Sequence, residues 1–331
     1  MRLNVQLIPL LFPQLYAISE QLKQPQPPPE MVKQESDLGH VLGFCCQLTG
    51  LTVRGGHNPY GTSNILPKDL PFDLSPFKKI QALHLYSIPA SNIKSVGTLR
   101  DSVVTLNVHF CRVSRIGDIL LCDELHKDIS CLDNAHEWKK IIEANFSSND
   151  LKGIDAVIKL IPKVEILHLN QNRLTDIDNL TSLPNLSHLS LSGNCFTNIE
   201  DLHTKVGNIV FLDLSQNAIT SLKGFRKLYS LETLLLGSNQ INDLKEVQHI
   251  GSLPFLENLV LTGNPIAMMV DYRAKVLEQF NRRASCICLD NEKSTQKELD
   301  FVAVLQAIRI VKEGGAPVFS VIPNNSASST K

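Results

Sequence analysis

Long hydrophobic runs are scarce in this chain of 331 residues. The longest uncharged apolar stretch near the start runs from Leu7 to Phe12, far short of the roughly 20 residues a membrane-spanning helix requires, and nothing later comes closer. Direct membrane insertion is therefore not expected. An excess of charge of either sign is missing too, since 32 Lys and Arg stand against 33 Asp and Glu for a formal net charge of -1. No global field draws such a chain to nucleic acid or to an anionic membrane, so its partners must be recognised locally. A secretory leader is argued against by the polar Asn4 and Gln6, by Pro9 and Pro13, and by the want of a small-x-small cleavage site. The eight cysteines are scattered, without the flanking clusters that cap extracellular repeats. A reducing, cytoplasmic setting is expected, in which the sequons at Asn145, Asn179, Asn185 and Asn324 meet no glycosylation machinery.

Catalytic signatures are also lacking. There is no glycine-rich phosphate loop ending in Lys-Ser/Thr, no G-x-G-x-x-G and no G-x-S-x-G. None of the ten histidines pairs with a nucleophile in any readable frame. No catalytic residue and no cofactor is expected, and the chain is not read as an enzyme. The one metal-like spacing, Cys122, His126, Cys131 and His136, offers four nitrogen and sulfur ligands but fits no common zinc finger, so no metal is expected there.

What the sequence does have is a repeat. One frame recurs: apolar, two residues, apolar, one residue, apolar, two residues, Asn, one residue, apolar. Its five regular copies are Val164-Leu167-Leu169-Asn172-Leu174, Leu186-Leu189-Leu191-Asn194-Phe196, Ile209-Leu212-Leu214-Asn217-Ile219, Leu231-Leu234-Leu236-Asn239-Ile241 and Leu256-Leu259-Leu261-Asn264-Ile266. The asparagines are 22, 23, 22 and 25 residues apart. Filling all twenty apolar slots at 43% hydrophobic content has a chance probability of about one in twenty million, so the frame is real. A weaker copy precedes them (Ile141, Ala144, Phe146, Asn149, Leu151), and two without the asparagine are readable at Ile80-Leu83-Leu85 and Val103-Leu106-Val108.

This frame is that of an α/β leucine-rich repeat solenoid. The alternating apolar residues form short parallel strands pointing inward, each followed by a returning turn or helix, and the sheet lines the concave face. Asn172, Asn194, Asn217, Asn239 and Asn264 sit where the chain leaves each strand. Their amides can satisfy backbone groups stranded by the turn, which makes them a structural ladder. Function is then left to the positions between the inward residues. One column reads Glu143, Ile166, His188, Phe211, Thr233, Asn258; the other reads Asn145, His168, Ser190, Asp213, Leu235, Val260. Phe211, Leu235 and Val260 make an apolar diagonal flanked by Ile166 and rimmed by His168, His188 and Asp213, the composition of a protein-binding patch.

The chain divides accordingly into an N-terminal helix and Pro-rich linker (1–36), degenerate repeats with an insertion (37–137), regular repeats (138–267), a C-terminal cap and helix (268–312) and a tail whose composition predicts disorder (313–331). In the cap, Asp271 to Phe280 reads as an amphipathic helix covering the last coil. Thr295 and Glu298 then form a capping box for a helix carrying Leu299, Val302, Leu305 and Ile308.

Further strings, several of them outside the generic frame, are Leu15-Tyr16-Ala17, Asp37-Leu38-Gly39-His40, Gly61-Thr62-Ser63-Asn64-Ile65, Leu70-Pro71-Phe72-Asp73-Leu74-Ser75, Leu202 to Asn208, Lys227 to Leu231, Ile250 to Pro254, Asp271 to Phe280 and Lys297 to Asp300. They resemble the nischarin family of imidazoline-receptor-like scaffolds, from about residue 10 to about residue 312. The resemblance implies a cytoplasmic, endosome-associated scaffold binding an integrin alpha cytoplasmic tail, Rac and its effector kinases, and Rab GTPases, and restraining cell migration. In that family a PX domain precedes the repeats and a long extension follows; the resemblance covers neither. A phosphatase-regulatory repeat protein would share the architecture but calls for a more charged, aromatic concave face. A nucleic-acid partner would need clustered basic residues, which neither column holds.

Overall fold

The computed structural model describes residues 6–24, 39–56, 66, 70–122 and 136–312. Over these, the chain opens with strand β1 (Leu7–Leu11), helices α1 (Phe12–Lys23) and α2 (Gly39–Gln47), and strands β2 (Gly50–Arg54), β3 (Phe72–Asp73), β4 (Ala82–Tyr86), β5 (Ile93–Lys94) and β6 (Thr105–His109). The short helix α3 (Gly117–Leu120) follows, then strands β7 (Glu143–Asn145), β8 (Ile166–His168) and β9 (His188–Ser190), helix α4 (Leu202–Lys205), β10 (Phe211–Asp213), β11 (Thr233–Leu235), helix α5 (Leu244–Gly251) and β12 (Asn258–Val260). The cap comprises α6 (Tyr272–Glu278), β13 (Cys288–Leu289), β14 (Glu292–Lys293) and α7 (Gln296–Lys312).

Twelve strands form one sheet in the order β1-β2-β4-β6-β7-β8-β9-β10-β11-β12-β13-β14, parallel throughout except for the β13–β14 pair. The short β3 and β5 pair separately on the returning side. Each strand neighbours the next repeat's strand, which is the topology of an α/β leucine-rich repeat solenoid. All twenty apolar residues of the regular frame are at most 2% exposed, so the period counted in the sequence is the period of the core. Return segments after β7 are short: 3-10 turns at Ala156–Leu160, Leu180–Ser182 and Lys223–Phe225, and helices at α4 and α5. Asp243 caps α5 by accepting from the Lys245 N–H at 2.9 Å.

The two copies lacking asparagine are full coils, with Ile80, Leu83, Leu85, Val103, Leu106 and Val108 all fully buried. Strand β6 pairs directly with β7, so the sheet passes from the degenerate coils to the regular ones without a break. At the N-terminal end the solenoid reaches further than the frame indicated. Strand β2 pairs with β4, and β1, just ahead of the expected helix, pairs with β2 over five residues. Phe12 and Leu15 of α1 are fully buried beneath it, Phe12 edge-on to Phe72 at 5.3 Å.

At the other end, α6 contributes Ala274, Val276 and Leu277 to the core, and Phe280 follows it inward. The sheet does not stop at β12: Leu289 sits beside Leu259, and β14 folds back antiparallel as its final strand. The capping box forms, with the Thr295 N–H donating to Glu298 Oε2 at 2.7 Å and the Glu298 N–H to Thr295 Oγ1 at 3.3 Å. Leu299, Val302 and Leu305 pack inward, whereas Ile308 points to solvent. Ile308 lies six residues after Val302, which on a helix of 3.6 residues per turn places it about 120° round from that buried position. The tail 313–331, the Pro-rich segment 25–38 and most of the insertion lie outside the described residues.

Candidate protein-binding face

The strands expose their side chains on one face because of what locks the other. In each regular coil the ladder asparagine is buried and bridges two coils. Asn217 is representative: its Oδ1 accepts from the Phe196 N–H at 3.1 Å, and its Nδ2 donates to the carbonyls of Leu191 (3.1 Å), Leu214 (3.0 Å) and Ser215 (3.1 Å). Asn172, Asn194, Asn239 and Asn264 repeat the arrangement, accepting from Leu151, Leu174, Ile219 and Ile241 respectively. The carbonyls are shared: Leu191 O serves Asn194 and Asn217, and Leu214 O serves Asn217 and Asn239. The residue before each asparagine takes a left-handed backbone to make the turn, as at Gln171, Gly193, Gln216, Ser238 and Gly263. Glycine suits position 193, because Gln171 Nε2 reaches across it to Gln216 Oε1 at 3.3 Å.

The ladder extends beyond the five regular copies. Asn149 belongs to it, accepting from the N–H groups of Cys111 (3.0 Å) and Val113 (3.3 Å). One coil earlier its place is taken by Cys111, whose thiol donates to His109 O at 3.2 Å and Leu85 O at 3.6 Å. Burial pushes that thiol up to about 11, so it stays protonated and acts as a donor. The signal was in the sequence: Val103-x2-Leu106-x-Val108-x2-Cys111-x-Val113 is the full frame with cysteine for asparagine, an exchange this repeat tolerates.

On the open face, strand register reproduces both columns. Glu143, Ile166, His188, Phe211, Thr233 and Asn258 are successive cross-strand neighbours, as are Asn145, His168, Ser190, Asp213, Leu235 and Val260. Phe211, Leu235, Val260 and Ile166 are half-buried and His188 is exposed. The His188 and Phe211 rings stack at 5.7 Å with their planes 16° apart. His168 is half-buried; burial holds its pKa below the ordinary histidine value, a shift that Glu143 opposes and His188 reinforces. Asp213 is partly committed elsewhere: Oδ1 accepts from the Ser215 N–H at 2.9 Å and Oδ2 from Ser190 Oγ at 3.4 Å. It fixes the turn as well as edging the patch.

Toward the N-terminus the second column continues through Asn107 and His84, and a third column two residues further along the strands holds His109, Tyr86 and Arg54. Tyr86 and His109 stack at 5.3 Å with planes 9° apart, and the Arg54 guanidinium lies 5.7 Å from the Tyr86 ring centroid. Asn107 Nδ2 lies 2.9 Å from His84 Nε2. Burial lowers the pKa of both His84 and His109, helped at His84 by the nearby His109 and at His109 by His168. The face therefore has two parts, a cluster of Arg54, Tyr86, His84, Asn107 and His109 over β2, β4 and β6, and the apolar Phe211, Leu235 and Val260 over β10–β12. Of the metal-like spacing, Cys122 and His136 are described while His126 and Cys131 lie outside the described residues. Among the described residues no group of three or more His, Cys, Asp or Glu is placed to hold a metal, and no helix is long and apolar enough to cross a membrane.

Parts of the chain are similar to known proteins. A family profile described as "Leucine Rich repeats (2 copies)" matches residues 162–202 and 208–249. The chain is 26% identical over 228 residues to the serine/threonine-protein kinase 11-interacting protein of Gallus gallus, covering 68% of this chain and 21% of that protein. Its Homo sapiens counterpart is 26% identical over 215 residues, covering 65% and 19%. The alpha subunit of geranylgeranyl transferase type-2 from Sus scrofa is 32% identical over 103 residues, covering 31% and 17%. The chain thus spans about a fifth of the length of these relatives. Among solved structures, a Listeria monocytogenes internalin superposes with a TM-score of 0.42 at 18% identity, covering 70% of this chain and 72% of the other. The Drosophila melanogaster SNF/U2A' complex gives 0.35 at 21% identity, covering 51% and 86%. The chain carries a leucine-rich repeat domain, a fold that serves widely as a protein-binding module.

Proposed function

We propose that this chain is a non-catalytic interaction scaffold that holds another protein against the open face of its sheet, with Phe211, Leu235 and Val260 as anchors and Ile166, His168, His188 and Asp213 around them. The observation that carries the reading is the half-exposed apolar diagonal on strands whose inward residues, Leu212, Leu234 and Leu259, are fully buried. Flat, pre-ordered apolar side chains lose little entropy on binding and gain by desolvation, which is what an anchor requires.

The finer reading is a nischarin-type scaffold for signalling proteins, supported by the sequence strings outside the repeat frame. Its expected partners are an integrin alpha tail, Rac with its effector kinases, and Rab GTPases; its expected setting is cytoplasmic and endosome-associated, and its role the restraint of cell migration. A second reading, a kinase-binding scaffold, is favoured by the similarity over about two thirds of the chain to proteins named for interacting with serine/threonine kinase 11. Pull-down with the integrin tail, Rac, a Rab GTPase and that kinase, comparing wild type with Phe211→Ala/Leu235→Ala, separates the two. Both side chains face solvent in part, so the double variant keeps its melting temperature and loses its partner. Binding unchanged in a folded variant overturns the site, and capture of the kinase alone selects the second reading.

A further inference from the structure

Helix α7 is amphipathic in an unusual way, apolar on the face that docks and apolar again on the face that does not. Inward, Val302 is buried, and polar ties fix the helix to the cap: Glu298 accepts from Arg273 Nε at 2.6 Å, and Arg309 pairs with Glu278 at 2.9 Å and with Asn281 Oδ1 at 2.6 Å. Outward, Phe301, Val304, Ile308 and Val311 remain 39, 52, 46 and 57% exposed. Their spacing of three, four and three residues is that of two coiled-coil heptads, and between Asp300 and Lys312 the solvent side of the helix carries no exposed charged residue. A surface helix normally puts charge there.

We infer that this stripe is a self-association surface on which α7 of a second copy packs antiparallel. Charge selects that occupant and that direction. Glu298 and Arg309 are already paired within the chain, which leaves Asp300 just before the stripe and Lys312 just after it, opposite each other when Phe301 faces Val311. Antiparallel packing sets acidic ends beside basic ends and opposes the two helix dipoles. It also layers Phe301 on Val311 and Val304 on Ile308 of the other copy. Parallel packing would stack Lys297 on Lys297, since Lys297 continues the stripe seven residues before Val304. An antiparallel register shifted by one heptad would bury Lys297 against Ile308. The exposed area of the four side chains is on the order of 350 Å² per copy, about half of what a standard interface buries on each partner, so the dimer is weak, with Kd in the range of about 10–300 μM.

Sedimentation equilibrium of the full chain from about 5 μM to about 1 mM tests this. A reversible monomer–dimer equilibrium is expected. Val304→Glu/Ile308→Glu should raise Kd at least tenfold with the melting temperature unchanged, while Val270→Glu, at a site 77% exposed off this helix, leaves Kd alone. If the double variant unfolds, Val311→Lys replaces it. In a background lacking the exposed Cys195 and Cys286, paired Val304→Cys/Ile308→Cys should cross-link on oxidation and Val304→Cys alone should not. A monomer throughout, a dimer indifferent to residues 304 and 308, or association only after removal of residues 313–331 overturns the proposal.

Discussion

The sharing of carbonyls along the asparagine ladder makes a quantitative prediction. Asn217→Ala removes four hydrogen bonds, yet few groups are left bare. Leu191 O keeps Asn194 at 2.9 Å, Leu214 O keeps Asn239 at 2.9 Å, and Ser215 O keeps the Gly193 N–H at 2.9 Å. The group orphaned is the Phe196 N–H, inside the core. One buried donor without a partner costs about 1–3 kcal/mol, and with the lost side-chain contacts the substitution should destabilise by about 2–4 kcal/mol. Asn239→Ala should cost the same by orphaning the Ile219 N–H. The double variant should cost more than the sum by about 1–2 kcal/mol, because Leu214 O then loses both side-chain donors. Asn194→Ala/Asn239→Ala, whose carbonyl partners do not overlap, should be additive within about 0.5 kcal/mol. Urea unfolding followed by circular dichroism measures the wild type, the three single variants including Asn194→Ala, and the two double variants. Equal additivity of the adjacent and separated pairs would refute the shared-carbonyl account.

Other consequences are as direct. Leu234→Ala, at a fully buried strand position, should cost about 2–5 kcal/mol through the cavity it leaves, seen as a lower urea midpoint at constant slope. Cys111, buried with its thiol raised to about 11, should resist a thiol reagent at pH 8 until the protein unfolds, while Cys195 and Cys286 react at once. Burial lowers the pKa of His84, His109 and His168, so the unfolded chain binds more protons than the native one as pH falls through the ordinary histidine value. Stability is therefore full above about pH 6.5 and declines below it, levelling once the native imidazoles charge. A melting temperature that rises between pH 7 and pH 5 would contradict this, and His168→Asn should flatten the slope.

The regular coils were legible because their core is a sum of identical local requirements: an inward residue at each alternate strand position and one amide at each exit. Where a coil met the same requirement by other means, the pattern dimmed. Cys111 bonds the carbonyls an asparagine would, yet a search keyed to asparagine passes over it. Strands β1 and β2 were hidden for another reason. Leu7–Leu11 alternates only weakly, with Pro9 at its centre, and proline is tolerated there because β1 is an edge strand free to leave one side unbonded. The pairing that makes it a strand comes from Gly50–Arg54, over forty residues away, and no local window holds it.

The site poses the harder problem. Sequence periodicity tells which residues leave the core, and the register confirms which share a column, but neither tells whether an outward residue is available. Ser190 is outward by count and buried in fact, held between Asn170 Oδ1 at 2.7 Å and Asp213. Asp213 spends one oxygen on its own turn, so replacing it should disturb the backbone as well as any partner. Phe211, Leu235 and Val260 have no such obligation in the turns; what they offer at the open face is area alone. That difference orders the mutational tests. Loss of binding on changing Phe211 or Leu235 reports on the interface, whereas the same loss on changing Asp213 does so only if the Ser215 turn is shown to survive, and Asp213→Asn, which keeps an acceptor for the Ser215 N–H, is the substitution that separates the two roles.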